Sequence, residues 1–265
     1  MTVADLAARG YDLAGQVLAA PPPDNPFYPP GLDVPGYVPN KWTTIEILPI
    51  FFGFLLAYMG STWWLARRAK PSFRNAPCGE QAMFLWFTTC GGIHCFFEGY
   101  VVIRHATVAG SQSIFAQLWK EYALSDSRYV ISDPFMLCIE GFTAAVYGPL
   151  CYLTAIAIVM GYGKPAGSSG LRYILQTMIS TAHLYGVILY YGTVASEILI
   201  HGVSYCRPEF LYVWVYFIGF NAPWVAIPTY ALYQSISEVS RIFREHDDVV
   251  HGIQKQKTAK DAKTE

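Results

Sequence analysis

The stretch Gly92-Ile93-His94-Cys95-Phe96-Phe97-Glu98-Gly99 lies within an apolar part of the sequence, from about residue 82 to residue 103. The length and hydrophobicity of this part are typical of a membrane-spanning helix. His94 and Glu98 are four residues apart, so on a helix they share one face. Ionisable side chains are costly at membrane depth and mark a functional site there by default. The alternative is that these two side chains only satisfy each other inside a helix bundle.

The composition of the whole chain indicates a membrane protein. The 265 residues are 53% hydrophobic, 16% aromatic and only 14% charged, whereas soluble domains carry about 25% charged residues. The net charge of −1 argues against a nucleic-acid partner, because phosphate binding needs a basic excess. The six cysteines have no CxxC spacing, and no glycine-rich nucleotide loop is present, so neither a metal site nor a nucleotide cofactor is predicted.

Five apolar segments predict an all-α integral membrane protein with five transmembrane helices in one bundle. These segments are about residues 44–65, 82–103, 134–160, 171–194 and 210–233. The polar segment 104–133, between spans two and three, is long and rich in aromatic residues, so an ordered cap over a cavity is predicted. Pro149 lies inside the third span and predicts a kink there.

The chain divides into three predicted parts. Residues 1–40 form an N-terminal extension with a proline-rich interfacial segment, residues 41–240 form the five-helix domain, and residues 241–265 form a flexible charged tail. Lys and Arg are more frequent on the side that holds the loops after spans one and three and the C-terminal tail. The positive-inside rule therefore places the C-terminus in the cytoplasm, and the N-terminus and the cap on the luminal side.

Polar side chains at membrane depth predict the position of a site. Spans two, three and five each carry two such side chains three or four residues apart, so three polar stripes can converge on one pocket. Span four carries further polar side chains. The whole set is His94, Glu98, Glu140, Thr143, Gln176, Thr181, His183 and Asn221. Trp224 lies three residues after Asn221. The alternative for Thr143 and Thr181 is helix packing through their hydroxyls, and for His183 it is a hydrogen-bonded core position.

Two carboxyl groups, an imidazole and aromatic rings in an apolar pocket suit acid–base chemistry on a carbon skeleton. Burial favours the neutral form of a carboxyl group, so one Glu can donate a proton while a second, ionised Glu accepts one. Aromatic ring faces stabilise a cation formed between these steps. Protonation of an unreactive alkene followed by proton loss elsewhere fits this set of groups, and so does proton-coupled transport along a Glu–His relay. The polar groups are clustered rather than spread across the spans, which favours the enzyme.

Several motifs resemble those of the emopamil-binding protein family, the sterol Δ8–Δ7 isomerases of the endoplasmic reticulum. The first of them is the segment 118–129, LWKEYALSDSRY. The others, in the family's order, are NPFYPP and VPN near the N-terminus, IHCFFEG in the second span, CIE and GPL in the third, YG and LY in the fourth, and NAPW in the fifth. The resemblance covers roughly residues 25–240.

The resemblance implies an isomerase that moves a sterol ring double bond without a cofactor, through alkene protonation, a carbocation and deprotonation. It implies a multi-pass endoplasmic reticulum protein that binds a sterol or another terpenoid, cationic amine inhibitors and membrane lipid, with a homodimer as one option. The catalytic positions that it implies are His94, Glu98 and Glu140, without a metal ion. The positions expected to bind substrate are Thr143, Asn221, Trp224, Tyr122, Tyr129 and His183, with Thr143 and Asn221 orienting the carboxyl groups.

Three positions depart from the pattern of this family. His183 stands where Gln is expected, Val187 where an acidic residue is frequent, and Tyr147 where Trp is expected. These departures leave the substrate open more than the reaction type. The alternatives are an isomerase or cyclase of the same fold that acts on another polycyclic terpenoid in specialised metabolism, and a non-catalytic sterol-binding protein.

Overall fold

The computed structural model describes residues 25–164 and 170–261. The first part of the predicted N-terminal extension, residues 1–24, lies outside the described residues, as does part of the Gly/Ser loop, residues 165–169. Within the two described ranges the regular secondary structure is helical, and these ranges contain no β-strand. An all-α membrane protein is therefore confirmed.

Four helical segments are long and apolar enough to cross a membrane. They are Thr44–Ala69, Pro134–Gly161, Gly170–His201 and Leu211–Lys255. The first is a single helix, α1 (Thr44–Ala69), which begins with a capping box in which Thr43 and Glu46 bond each other's backbone. All four begin within one residue of a predicted apolar segment, because the apolar segments themselves set where the helices begin.

The segment with His94 and Glu98 is helical from Cys78 to Arg104. It consists of α2 (Cys78–Gly92), a π-helical turn (Ile93–Glu98) and α3 (Gly99–Arg104). It is not among the four most apolar helices, because its two ionisable side chains lower its mean hydropathy. Single π-helical turns inside α-helices occur frequently at functional sites, since the wider turn redirects the side chains that it carries.

The third predicted span also contains a π-helical turn. It runs from α5 (Pro134–Phe142) through the turn (Thr143–Tyr147) into α6 (Gly148–Gly161). Pro149 is the second residue after this turn and has no backbone N–H, so the regular hydrogen-bond ladder is interrupted where the sequence predicts a kink. The two π-helical turns pack against each other, which brings His94, Glu98 and Thr143 into one region.

Gly148 permits this close approach of the two helices. A Cβ atom at Gly148 would clash with Sγ of Cys95 and would lie 3.3 Å from Cβ of His94. We therefore expect Gly148→Ala to lower the free energy of unfolding by about 1–3 kcal/mol through overpacking, as measured by thermal unfolding in detergent. Gly192→Ala is the matched control, since a Cβ atom there meets nothing within 4 Å. Equal stability of the two variants would contradict this account.

The last two long helices of the chain are antiparallel and pack together. They are α7 (Gly170–Ser196), which continues into a π-helical turn (Glu197–His201), and α8 (Pro223–Asp261), which follows a π-helical segment (Leu211–Gly219). Gln176 of α7 donates to the backbone carbonyl of Ala231 in α8 (2.9 Å). The structure continues α8 as a helix to Asp261, through most of the part predicted to be a flexible tail.

The segment between the second and third predicted spans is folded. It contains α4 (Ile114–Tyr122) and a short 3₁₀ helix (Ser127–Val130), and it packs with Phe27 and Val34 of the N-terminal segment around one hydrophobic cluster. Nζ of Lys120 donates to the carbonyl of Val38 (2.7 Å). Burial lowers the pKa of Lys120 to about 8. These contacts hold α4 against the N-terminal segment.

Candidate functional site

The described helices line a large cavity of about 600 Å³, within the range of cofactor and drug-sized ligand sites. Its wall is mostly apolar and aromatic, and every long helix contributes to it. The nine predicted site residues all lie on this wall: His94, Glu98, Tyr122, Tyr129, Glu140, Thr143, His183, Asn221 and Trp224. Gln176 and Thr181, which the polar pattern also includes, lie elsewhere: Gln176 bonds α8, and Thr181 is exposed.

A chain of hydrogen bonds links Glu98 to two histidines. Nδ1 of His94 lies 2.7 Å from Oε2 of Glu98, and Nε2 of His94 lies 3.0 Å from Nε2 of His183. Both imidazoles are buried, with 2% of His94 and 6% of His183 exposed. His94 and Glu98 therefore make the contact that their i, i+4 spacing predicts. His183 of α7 adds a second imidazole to this hydrogen-bond chain.

Glu140 has a different hydrogen-bond partner. The hydroxyl of Tyr129 donates to Oε1 of Glu140 (2.7 Å). Burial, and then the charge of Glu140, raises the pKa of Tyr129 well above its usual value, so the phenol stays a donor at neutral pH. The carboxyl groups of Glu98 and Glu140 come within hydrogen-bonding reach of each other. The two carboxyls therefore meet in one place, each held by a partner of its own.

The expected orientation of the carboxyls by Thr143 and Asn221 needs correction. The hydroxyl of Thr143 donates to the carbonyl of Ile139 in its own helix (2.7 Å). The side-chain amide of Asn221 donates to the hydroxyl of Tyr122 (3.1 Å) and to the carbonyl of Phe217 (2.8 Å). Both residues line the cavity, but their donor protons are already used by these partners. His94 and Tyr129 are the partners of the carboxyl groups instead.

Aromatic rings enclose the polar groups. The ring of Trp224 lies 5.4 Å from that of Trp86 and 6.5 Å from that of His94, measured between centroids. On the other side, Phe97 stacks on Trp119 at 4.5 Å, and Tyr129 lies 4.7 Å from the same indole. Ring faces of this kind stabilise a positive charge while the site excludes water.

The α4 segment holds Tyr129 through a buried ion pair. Nη2 of Arg128 lies 2.6 Å from Oδ2 of Asp126, and Nη1 of Arg128 donates to the hydroxyl of Thr193 in α7 (2.9 Å). Burial alone would lower the pKa of Arg128, but the hydrogen bonds and charge of Asp126 outweigh it, and the net effect raises the pKa. The pair therefore ties the segment next to Tyr129 to a long helix.

Thr89 belongs to the cavity wall, although it is absent from the predicted site. It lies on α2 between Trp86 and Ile93, which also line the cavity. The spacing of three and four residues places all three on one helical face. That periodicity is the sequence signal that would have identified Thr89.

One group of described residues has the composition of a metal site. One ligand atom each of Cys90, His94 and His183 lies within 4.8 Å of the others. However, the Nε2 atoms of the two histidines face each other at hydrogen-bonding distance, and Nδ1 of His94 faces Glu98. Three of the four ring nitrogens thus take part in hydrogen bonds rather than being directed at a common ion.

Comparison with known proteins gives a consistent set of similarities. Residues 114–235 match the family model described as EXPERA (EXPanded EBP superfamily). The 3-beta-hydroxysteroid-Delta(8),Delta(7)-isomerase of Mus musculus is 33% identical over 218 residues, which cover 82% of this chain and 90% of the relative. A probable isomerase of the same name from Arabidopsis thaliana is 33% identical, with 77% and 84% covered. An isomeliandiol synthase of Ailanthus altissima is 32% identical, with 73% and 84% covered.

Proposed function

The chain belongs to the EXPERA (expanded EBP) superfamily, and we propose on that premise that it is a 3β-hydroxysteroid Δ8–Δ7 isomerase. The observation that carries the proposal is the meeting of Glu98 and Glu140 in one apolar, aromatic cavity. Relatives named as this isomerase are similar over most of their length. A polycyclic alkene fits a cavity of about 600 Å³ with this lining.

The proposed reaction needs one acid and one base. One carboxylic acid donates a proton to a carbon of the ring alkene, and the adjacent carbon becomes a cation. The other carboxylate then removes a proton from a neighbouring carbon, and the electrons of that C–H bond form the new double bond. The composition of the sterol is unchanged. Because the two carboxyls lie within hydrogen-bonding reach, the proton can pass directly from base to acid after each turnover.

The protein groups around the carboxyls have proposed roles of their own. His94 and Tyr129 hold Glu98 and Glu140 through the bonds of 2.7 Å described above. The ring of Trp224 stabilises the transient cation. A cationic amine resembles the carbocation in charge and would be bound by the same protein groups, so we propose such amines as inhibitors.

The arrangement in the membrane is part of the proposal. We propose the segment 78–104 as a fifth span and the α4 segment as a cap over the cavity on the luminal side. Arg67 and Arg68 in the last turn of α1, and Arg74 after it, support a cytoplasmic position for the C-terminal end of α1, and hence for the C-terminal tail. The apolar helices and the isomerase relatives fit a protein of the endoplasmic reticulum membrane. Residues 41–240 would form the isomerase domain, and a homodimer stays a prediction.

The first experiment is expression in a host that lacks its own sterol Δ8–Δ7 isomerase, with sterols measured by mass spectrometry. Conversion of Δ8 to Δ7 sterol is the expected result. Persistence of the Δ8 sterol, despite a folded and membrane-inserted protein, would reject the sterol isomerase. The same extracts should then be tested with oxygenated triterpenoids, because an isomeliandiol synthase is among the relatives and His183 is part of the cavity wall.

Trp224→Leu tests the role of the indole ring. A desolvated cation–π contact is worth about 2 kcal/mol or more, so kcat should fall by roughly 30-fold or more. The affinity for a tertiary amine inhibitor should fall by a similar factor, as measured by competition binding. Trp214→Leu is the control, because that ring is exposed and lies away from the cavity. Unchanged amine affinity in Trp224→Leu would remove Trp224 from the cation site.

A further inference from the structure

A second cavity, of about 330 Å³, lies at the C-terminal end of α1. Its wall consists of two tryptophans and three arginines: Trp63, Trp64, Arg67, Arg68 and Arg74. We call it the arginine pocket. Among the described residues, no acidic side chain belongs to its wall. Arg67 lies twelve residues, or about 18 Å along a helix axis, after Leu55, the last residue of α1 on the wall of the large cavity. The two cavities are therefore separate.

The three arginines of the pocket form no ion pair with a carboxylate in the part of the chain that the structure describes. Four other arginines each form such a pair: Arg128, Arg172, Arg207 and Arg241. Nε of Arg74 donates to the carbonyl of Arg67 (3.1 Å), which holds the third guanidinium beside the other two. The carbonyl end of a helix carries only about half a negative charge, so a positive excess remains. An anion in the pocket would reduce the repulsion between these like charges.

The two tryptophans hold the guanidinium groups in place. The guanidinium carbon of Arg67 lies 4.1 Å from the ring centroid of Trp63, and that of Arg68 lies 4.9 Å from the ring centroid of Trp64. A guanidinium over an indole ring keeps N–H groups at its edge that can bind two oxygens of one phosphate. Of the nitrogen atoms of the pocket, only Nε of Arg67 is fully buried without a partner. The terminal Nη groups of Arg67 and Arg68 can therefore reach a ligand.

The position of the pocket along α1 indicates where its ligand comes from. α1 is long and apolar enough to cross a membrane, and the pocket lies at its last two turns. Tryptophan is enriched at the level of the lipid headgroups, and arginine at the ends of spans extends toward them. Trp64 is 54% exposed and Leu65 is 56% exposed, so both present apolar surface beside the pocket. A lipid could place its phosphate in the pocket and its acyl chains along α1.

We propose that the arginine pocket binds the phosphate group of an anionic phospholipid. Three arginines would repel the ammonium group of a zwitterionic lipid, so the favoured headgroup carries negative charge alone. A free phosphate has the same oxygens, but it has no acyl chain to cover Trp64 and Leu65. The bound lipid would anchor the C-terminal end of α1 at the membrane surface. This site is independent of the sterol reaction, because it shares no residue with the large cavity.

The test is native mass spectrometry of the purified full chain in a neutral detergent, with dioleoyl phosphatidic acid and dioleoyl phosphatidylcholine as probes. The unaltered protein should bind phosphatidic acid about 30-fold more tightly or better. The double variant Arg67→Gln/Arg68→Gln should lower the affinity for phosphatidic acid by about 25-fold, since each basic side chain near anionic lipid contributes about fivefold. Its affinity for phosphatidylcholine should stay the same. Unchanged sterol turnover of this variant shows that it is folded.

Two matched variants separate a built site from general charge attraction. Arg241→Gln/Arg244→Gln removes the same charge from the exposed surface of α8, away from the pocket, and should change the affinity by less than about twofold. Arg67→Lys/Arg68→Lys keeps the charge but loses the planar guanidinium, and should weaken binding by about fivefold. Equal losses in the two Gln variants, full affinity in the Lys variant, or no preference for phosphatidic acid would overturn the site.

Inorganic phosphate distinguishes the lipid from a free anion. It should displace phosphatidic acid only at concentrations at least about 100-fold above the dissociation constant of the lipid, because it lacks the acyl chains. If inorganic phosphate instead binds as tightly as phosphatidic acid, the pocket is a site for a free phosphate and the lipid proposal is rejected.

Discussion

Glu98→Gln and Glu140→Gln are each expected to lower kcat by about 10³-fold or more, with the protein still folded. Gln has the shape of Glu but carries no exchangeable carboxyl proton, so general acid or base catalysis is lost. Folding should survive because each side chain keeps its neighbour: the amide of residue 98 can donate to Nδ1 of His94, and the amide oxygen of residue 140 can accept from Tyr129. Sterol turnover and thermal unfolding in detergent measure the two effects separately.

The chain supplies a matched control for these variants. Glu197 and His201 form a second Glu–His pair four residues apart, with 3.0 Å between Oε2 and Nδ1, but this pair is largely exposed and lies away from the cavity. Glu197→Gln should therefore turn over sterol like the unaltered protein. Full activity in either Glu98→Gln or Glu140→Gln would refute the two-carboxyl mechanism. Equal losses in all three variants would indicate a general effect on the protein.

The long helices could be predicted well from the sequence. The apolar segments gave the starts of α1, α5 and α7 to within one residue, because a helix in lipid must keep its apolar residues together and satisfy its own backbone. The π-helical turns at Ile93–Glu98 and Thr143–Tyr147 could not be predicted. They depend on how two helices meet around Gly148, and a contact between distant segments leaves no local periodicity in the sequence.

The candidate site was predictable to the extent that it depends on spacing within one helix. The contact between His94 and Glu98 follows from four residues of separation. The bond between His94 and His183 depends on the relative rotation of the π-helical turn Ile93–Glu98 and α7, which no pattern in either segment specifies. For the same reason the partners of Asn221 were wrongly predicted, since Tyr122 reaches it from α4 across the cavity.

The positions of the polar side chains also distinguish an enzyme from the alternative of proton-coupled transport. In the described residues the chain of hydrogen bonds from Glu98 through His94 ends at His183, which lines the cavity. A transporter needs a polar path that leads to both membrane faces. The polar groups here converge on one cavity, as binding a substrate between two carboxyls requires.

Arg128→Met is expected to lower the free energy of unfolding by about 3–5 kcal/mol, the largest stability effect that we expect of a single substitution. Met fills much of the same volume, but it leaves the carboxylate of Asp126, which is 1% exposed, buried without its guanidinium partner. The hydrogen bond from Arg128 to Thr193 of α7 is lost as well. Thermal unfolding of the purified protein, compared at equal detergent concentration, measures the change.

Two further variants distinguish the buried charge from a general loss of Arg. Adding Asp126→Asn to Arg128→Met should restore part of the stability, because the unpaired charge is then removed. Arg241→Met breaks the exposed pair with Glu238 at the surface of α8 and should change the unfolding temperature little. If Arg128→Met is as stable as Arg241→Met, the buried pair does not stabilise the α4 segment. If it is destabilised as expected, activity should fall with it, because this segment carries Tyr129, the hydrogen-bond donor to Glu140.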